Sequence, residues 1–190
     1  RPPDVGPNSI WWPYYRPIAT YMKRLSWLMT DSTNQAQVAV LCEADHLPWV
    51  IAKPLYQNQI EFNYLRDDLL ASSFCKLQGD LVAIQHQQYR AIVVEDHHLV
   101  AGEVRDRLAE FARAGGVLVI LGSRGRDLEI PGIHQAAMPE EIPGLLRHLL
   151  CVDMVLTPAN SDLRFSHVVK GDVHLYMLVN EGDGPIQTEV

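Results

Sequence analysis

Short runs of consecutive apolar residues alternate with helical stripes along most of this chain. Val38–Cys42 (VAVLC), Ala91–Val94 (AIVV) and Val117–Leu121 (VLVIL) are each bounded by polar residues. Apolar runs of this length suit strands buried on both faces, as in a parallel sheet. Ile60–Leu65 alternates apolar and polar residues until its end and predicts a further strand. Leu81–Ile84 follows the Gln78-Gly79-Asp80 turn signal and predicts a minor one.

Between these runs the period changes. From Tyr14 to Thr30, Tyr15, Ile18, Met22, Leu25 and Met29 recur at helical spacing, with Pro13 suited to the first turn. Pro48–Gln57 predicts a helix that Pro54 kinks or shortens. Arg66–Ser72 predicts a short helical turn. Gly102–Ala114 carries the clearest helical pattern, with Val104, Leu108, Phe111 and Ala112 on one face and Glu103 four residues before Arg107. Gly115-Gly116 ends it, because glycine accepts the left-handed cap conformation. Residues 139–150 predict a last helix, with Ile142, Leu145, Leu146 and Leu149 facing inward.

Strands alternating with helices imply a mostly parallel sheet with right-handed crossovers. The expected fold is therefore an α/β, flavodoxin-like three-layer domain over residues 36–150. Residues 1–35 form an irregular segment and the N-terminal helix. Residues 151–190 read as a linker and the first strands of a following β domain, since Asp172–Val179 alternates like an antiparallel strand and Asn180-Glu181-Gly182-Asp183-Gly184 follows it. Arg1-Pro2-Pro3-Asp4 reads as the interior of a longer chain.

Composition narrows the choices. Hydrophobic residues make up 47% and charged residues 21%, the balance of an ordinary globular domain. A net charge of −7 without any Lys/Arg cluster argues against nucleic acid and anionic membranes as partners. The apolar runs are too short to cross a bilayer. Cys42, Cys75 and Cys151 are far apart and odd in number, so they read as buried free thiols, not as a disulfide framework or a metal motif. No G-x-G-x-x-G follows a strand, and no cofactor is expected.

Three stretches, taken together, carry a resemblance. They are Trp11-Trp12-Pro13-Tyr14-Tyr15-Arg16 with the helix that follows, Phe62-Asn63-Tyr64-Leu65-Arg66-Asp67-Asp68, and Tyr89–Val94 running on to Phe111–Gly116. Their order resembles the region just after the catalytic barrel in α-L-rhamnosidases of glycoside hydrolase family 106 and similar large bacterial hydrolases. That region has a Trp-Pro-Tyr helix, a "D-F-D-Y" strand, a "Y-R-x-L-V-L-P" strand and a helix ending "F-x-x-x-G-G". Leu175–Asn180 resembles the "Y-F-x-x-N" strand that opens the next β-sandwich. Family 42 β-galactosidases carry a similar amidotransferase-like domain. Two positions depart from the pattern: Glu61-Phe62-Asn63-Tyr64 replaces one acid by an amide, and Glu95 stands where a proline is expected.

The resemblance implies an accessory domain of a glycoside hydrolase, with the catalytic barrel and β-sandwich domains of the parent chain as partners. Both glycosidase mechanisms need two carboxyl groups straddling the scissile bond, and in the resembling families these lie on the barrel. None of Glu43, Asp45, Glu61, Asp67, Asp68, Glu95 and Asp96 sits in a spacing that identifies such a pair, so each reads as solvated or capping and no catalytic residue is assigned. Trp11, Trp12, Tyr14 and Arg16 are candidate substrate contacts, because aromatic faces stack on sugars. Interface packing between barrel and accessory domain is the plainer reading of the same cluster.

A second candidate edge is Glu95-Asp96-His97-His98, which follows a central strand where open α/β sheets bind ligands. Adjacent histidines point differently and zinc needs three or four ligands, so a solvated loop is the plainer reading and no metal is expected. Gly122-Ser123-Arg124-Gly125 reads as a turn, with phosphate binding as the alternative. Two further readings stay open: a small-molecule-binding flavodoxin-like domain, and a homo-oligomerisation module.

Overall fold

A computed structural model of the chain describes residues 6–95, 102–122 and 130–190. Helix α1 (Tyr15–Met29) follows a 3-10 turn at Trp12–Tyr14. The chain then runs β1 (Thr33–Asn34), β2 (Val38–Cys42), α2 (Trp49–Gln57), β3 (Phe62–Arg66) and α3 (Asp67–Ala71). Three short strands follow, β4 (Cys75–Gln78), β5 (Leu81–Ile84) and β6 (Gln87–Tyr89). The order continues with β7 (Ala91–Glu95), α4 (Glu103–Arg113), β8 (Val117–Leu121), β9 (Ile133–Ala136) and α5 (Ile142–Leu149), and closes with β10 (Leu163–Lys170) and β11 (Val173–Asn180).

The three apolar runs lie side by side. A five-stranded sheet has the order β3-β2-β7-β8-β9, and every pairing in it is parallel. Val38 lies opposite Ala91, and Ala91 opposite Val117. Because side chains alternate across a strand, each apolar run supplies two cores. Ala39, Leu41, Ile92, Val94, Leu118 and Ile120 face α4 and the β4–β6 meander. Val38, Val40, Ala91, Val93 and Val119 face α2 and α5. The result is a mixed α/β architecture of three layers, with two small antiparallel sheets beside the parallel one.

Helix α4 buries the expected face, Val104, Leu108, Phe111 and Ala112, together with Ala109. Arg107 pairs with Glu110 at 3.7 Å, three residues after it in the helix, where Glu103, four residues before it, was the expected partner. The two glycines after it have different jobs. Gly115 takes φ +100°, and Gly116 lies against Phe111, whose ring a Cβ would meet at 2.1 Å. Pro54 sits inside α2 without ending it.

Helix α1 forms where the apolar stripe predicts, but none of its residues is buried. Ile18, Tyr21, Met22 and Trp27 are all more than half exposed. Its last turn is tied to the hairpin by Lys170, whose ammonium donates to the Trp27 and Thr30 carbonyls and lies 5.0 Å from the Trp27 ring. No described helix is long and apolar enough to cross a membrane.

The strand expected at Asp172–Val179 is β11, and its partner is β10, which precedes it in the chain, rather than a strand after Asn180. β10 also pairs with β1, so the hairpin returns to the segment that enters the parallel sheet. Gln59, 4% exposed, fixes this return by donating from Nε2 to the carbonyls of Asn160 (2.9 Å) and Leu163 (2.8 Å).

Candidate functional site

The carboxyl edge of the parallel sheet gathers part of the group expected there. Glu95 ends β7 and is only 5% exposed, which corrects its reading as a solvated loop residue. His46, in the loop after β2, places Nε2 3.4 Å from Glu95 Oε2. Burial pushes the Cys42 thiol above the ordinary range, with nearby Asp67 adding to the rise and Arg66 opposing it. Burial likewise raises the Tyr64 phenol, with Tyr56, Cys42 and Glu95 adding to it. Cys42 is thus a protonated core thiol and not an activated nucleophile. Asp96, His97, His98 and Ser123–Gly125 lie outside the described residues. Among the described residues, no three His, Cys, Asp or Glu side chains are placed to hold a metal ion.

The aromatic candidates form their own cluster. Trp12 stacks on Tyr15 with ring centroids 5.1 Å apart and an interplanar angle of 8°, and Trp11 tilts against Tyr15 at 6.0 Å. Tyr14 and Arg16 are exposed beside them. Pro13 shapes this approach by opening the 3-10 turn that leads into α1.

The most organised polar group lies at the opposite, amino end of the sheet, and the sequence did not point to it. His167 on β10 is 4% exposed. Its Nδ1 lies 2.8 Å from Asp153 Oδ2, and its Nε2 lies 2.8 Å from His174 Nδ1 on β11. Its ring stacks on Tyr176 at 4.2 Å. The hairpin register explains this meeting. His167 lies opposite Tyr176 and Val169 opposite His174, so the two histidines are diagonal neighbours on one face. A hairpin centred on Gly171, had it been read from the sequence, would have brought them together.

Glu61 holds the group in place. Its Oε1 accepts from Asn34 Nδ2 at 2.7 Å and from Ser166 Oγ at 2.5 Å, while Oε2 accepts the His167 backbone N–H at 2.9 Å. Asn63 Nδ2 donates to Asn34 Oδ1 at 3.0 Å, extending the joint to β3. Glu61 and Asn63 therefore clasp hairpin to sheet, which corrects the reading of Glu61 as a solvated or capping residue. Beside this joint, a cleft of about 390 Å³ opens between the segment entering β2, the β5–β6 turn and the hairpin.

This arrangement defines the class: a mixed α/β fold with a five-stranded parallel sheet and an antiparallel hairpin clasped to it. The same fold occurs in a rhamnosidase. The structure of the rhamnosidase from Novosphingobium sp. PP1Y matches with a TM-score of 0.60 and 16% sequence identity, over 90% of this chain and 19% of that one. The chain thus spans about a fifth of the length of that protein. No family model matches the sequence, and no curated protein does.

Proposed function

We propose that this chain is a non-catalytic accessory segment of a glycoside hydrolase, an α-L-rhamnosidase resembling family 106. In this reading residues 36–150 are a flavodoxin-like, amidotransferase-like domain. Residues 1–35 pack against the catalytic barrel of the same parent chain, and residues 151–190 open a β domain. The observation that carries the reading is the fold match: 90% of the chain corresponds to 19% of a rhamnosidase. Two exposed apolar surfaces support the partners. One is the α1 stripe with Trp11 and Trp12 at its start, and the other is one face of β11, with Tyr176 and Leu178. Contiguous apolar surface of this kind marks a protein contact.

The test is an activity assay of the chain on aryl α-L-rhamnosides and other aryl glycosides. No turnover is expected. Turnover that disappears in Glu95→Gln or another carboxylate variant of this chain would overturn the reading. A second reading, a small-molecule-binding domain using the carboxyl edge, is favoured by the burial of Glu95 beside His46. A ligand seen at that edge in a crystal would decide for it. In the homo-oligomer variant of the proposal the α1 stripe meets a second copy, and light scattering of the chain would show a dimer that Tyr21→Glu dissolves.

A further inference from the structure

The cleft at the amino end of the sheet is lined mainly by polar residues, and several of them are already bonded to the protein. Gln35, Gln37 and Gln87 each donate an amide N–H to a backbone carbonyl: to Thr33 at 3.2 Å, Cys151 at 3.1 Å and Ala36 at 2.8 Å. Those bonds fix the carboxamides and leave the oxygens as oriented acceptors. The one arginine in the wall, Arg90, lies 3.4 Å from Asp80, and the one carboxylate, Asp153, is bound to His167. The wall therefore offers directional polar groups, and each of these two charged side chains already has a partner in the protein.

The imidazole chain adds a further group. A carboxylate can only accept, so the Asp153 contact places a proton on His167 Nδ1. In the neutral chain His167 Nε2 then accepts from His174 Nδ1–H, and His174 Nε2 offers a lone pair. With one more proton on the chain, His167 donates from both nitrogens and His174 Nε2 becomes a donor. A hydroxyl satisfies His174 in either state, because it both donates and accepts. A carboxylate or an ammonium satisfies only one. The volume, about 390 Å³, lies at the lower end of the roughly 300–1,000 Å³ of small-molecule sites, and so suits one sugar ring.

From these observations we infer that the cleft binds a neutral monosaccharide unit, whose hydroxyls meet His174 Nε2 and the amide oxygens of Gln35, Gln37 and Gln87. The choice of a sugar among neutral polyhydroxylated ligands rests on the glycoside hydrolase reading. The site is distinct from the aromatic cluster at Trp11–Arg16 and from the carboxyl edge at Glu95.

The experiment is an NMR titration of the 190-residue chain, following the imidazole signals of His86 and His174, both at the cleft. The probes are L-rhamnose and D-galactose, with D-glucuronate and D-glucosamine as charged counterparts. Saturable shifts are expected with the neutral sugars in the millimolar range. His174→Ala should weaken binding about tenfold, the loss of one hydrogen bond. His86→Ala, at an exposed position, should weaken it severalfold without disturbing the Asp153–His167 pair. Lys53→Ala, on the exposed side of α2, should change nothing. Tighter binding of glucuronate or glucosamine than of either neutral sugar would overturn the inference. So would the absence of saturable shifts, or undiminished affinity in the His174 variant. The two readings fail separately: loss of sugar binding leaves the accessory role standing, and glycosidase turnover by the chain removes that role while leaving the binding data intact.

Discussion

Glu61→Gln tests whether one carboxylate clasps the hairpin to the sheet. Glutamine keeps the shape of the side chain but turns one acceptor oxygen into a donor NH2. Glu61 meets three donors, two at Oε1 and one at Oε2. The orientation that loses fewer bonds keeps the oxygen toward Asn34 and Ser166 and turns the NH2 against the His167 N–H. A hydrogen bond to a charged group contributes about 1.5–3 kcal/mol net, and an unsatisfied buried donor costs about 1–3 kcal/mol. Glu61 is only partly buried, which favours the low end of each range. Hairpin docking should weaken by about 2–3 kcal/mol, a shift of about 30- to 140-fold in the local opening equilibrium. Amide hydrogen exchange reads this directly. The His167 N–H should exchange faster by that factor, while the amides of Ile92 and Val93 in the central strand stay as protected as before. Unchanged exchange at His167, or an equal acceleration at all three sites, would refute the clasp.

Three further outcomes follow from the core, the buried ionisable groups and the bare helix. Phe111→Ala should cost about 3–5 kcal/mol, and Gly116→Ala about 1–3 kcal/mol or more, because the new methyl meets the Phe111 ring. If urea midpoints show the glycine change to be silent, the close packing is wrong. Burial raises Cys42, Cys75 and Tyr89 above their ordinary values of 9.0, 9.0 and 10.0. The unfolded chain then loses these protons first, so their contribution is complete at neutral pH and declines as pH climbs past about 9. The urea midpoint should hold from pH 7 to 8 and drop by pH 10, less steeply in a Cys42→Ala/Cys75→Ala variant, and a level midpoint would refute it. Ile18→Gln on the exposed stripe of α1 should change the stability of the isolated chain by no more than about 0.5 kcal/mol, and a larger loss would show that the stripe is packed.

The parts of the fold that were legible from the sequence are those where hydrophobic burial alone decides the structure. β2, β7 and β8 are buried on both faces or nearly so, which leaves an uninterrupted apolar run as the only workable pattern. Helix α4 was legible for the same reason, reinforced by Gly115-Gly116. β9 (IHQA) and β6 (QQY) were not, because edge and meander strands bury few side chains and read as polar turns. β10 was missed because His167, Ser166 and Arg164 interrupt its apolar pattern. The amino-end cleft was less legible still. Its His167 and His174 come from two strands, its His86 from the β5–β6 turn, its carboxylate from the linker at Asp153 and its amides from β-strand entries, and only the tertiary fold brings them together. At the carboxyl edge the strand pattern placed Glu95 at the end of a central strand, but only the fold brings His46 beside it, since 49 residues separate the two.

The clasp at Glu61 also bears on how the polypeptide is made. Its two hairpin donors, Ser166 and the His167 amide, lie 105 and 106 residues downstream. At translation rates of about 5–20 residues per second, the ribosome needs roughly 5 to 20 s to deliver them after Glu61 emerges. During that interval the newly made sheet carries an unclosed polar seam along Asn34 and Glu61. Premature chain termination before residue 166 would leave the seam open for good.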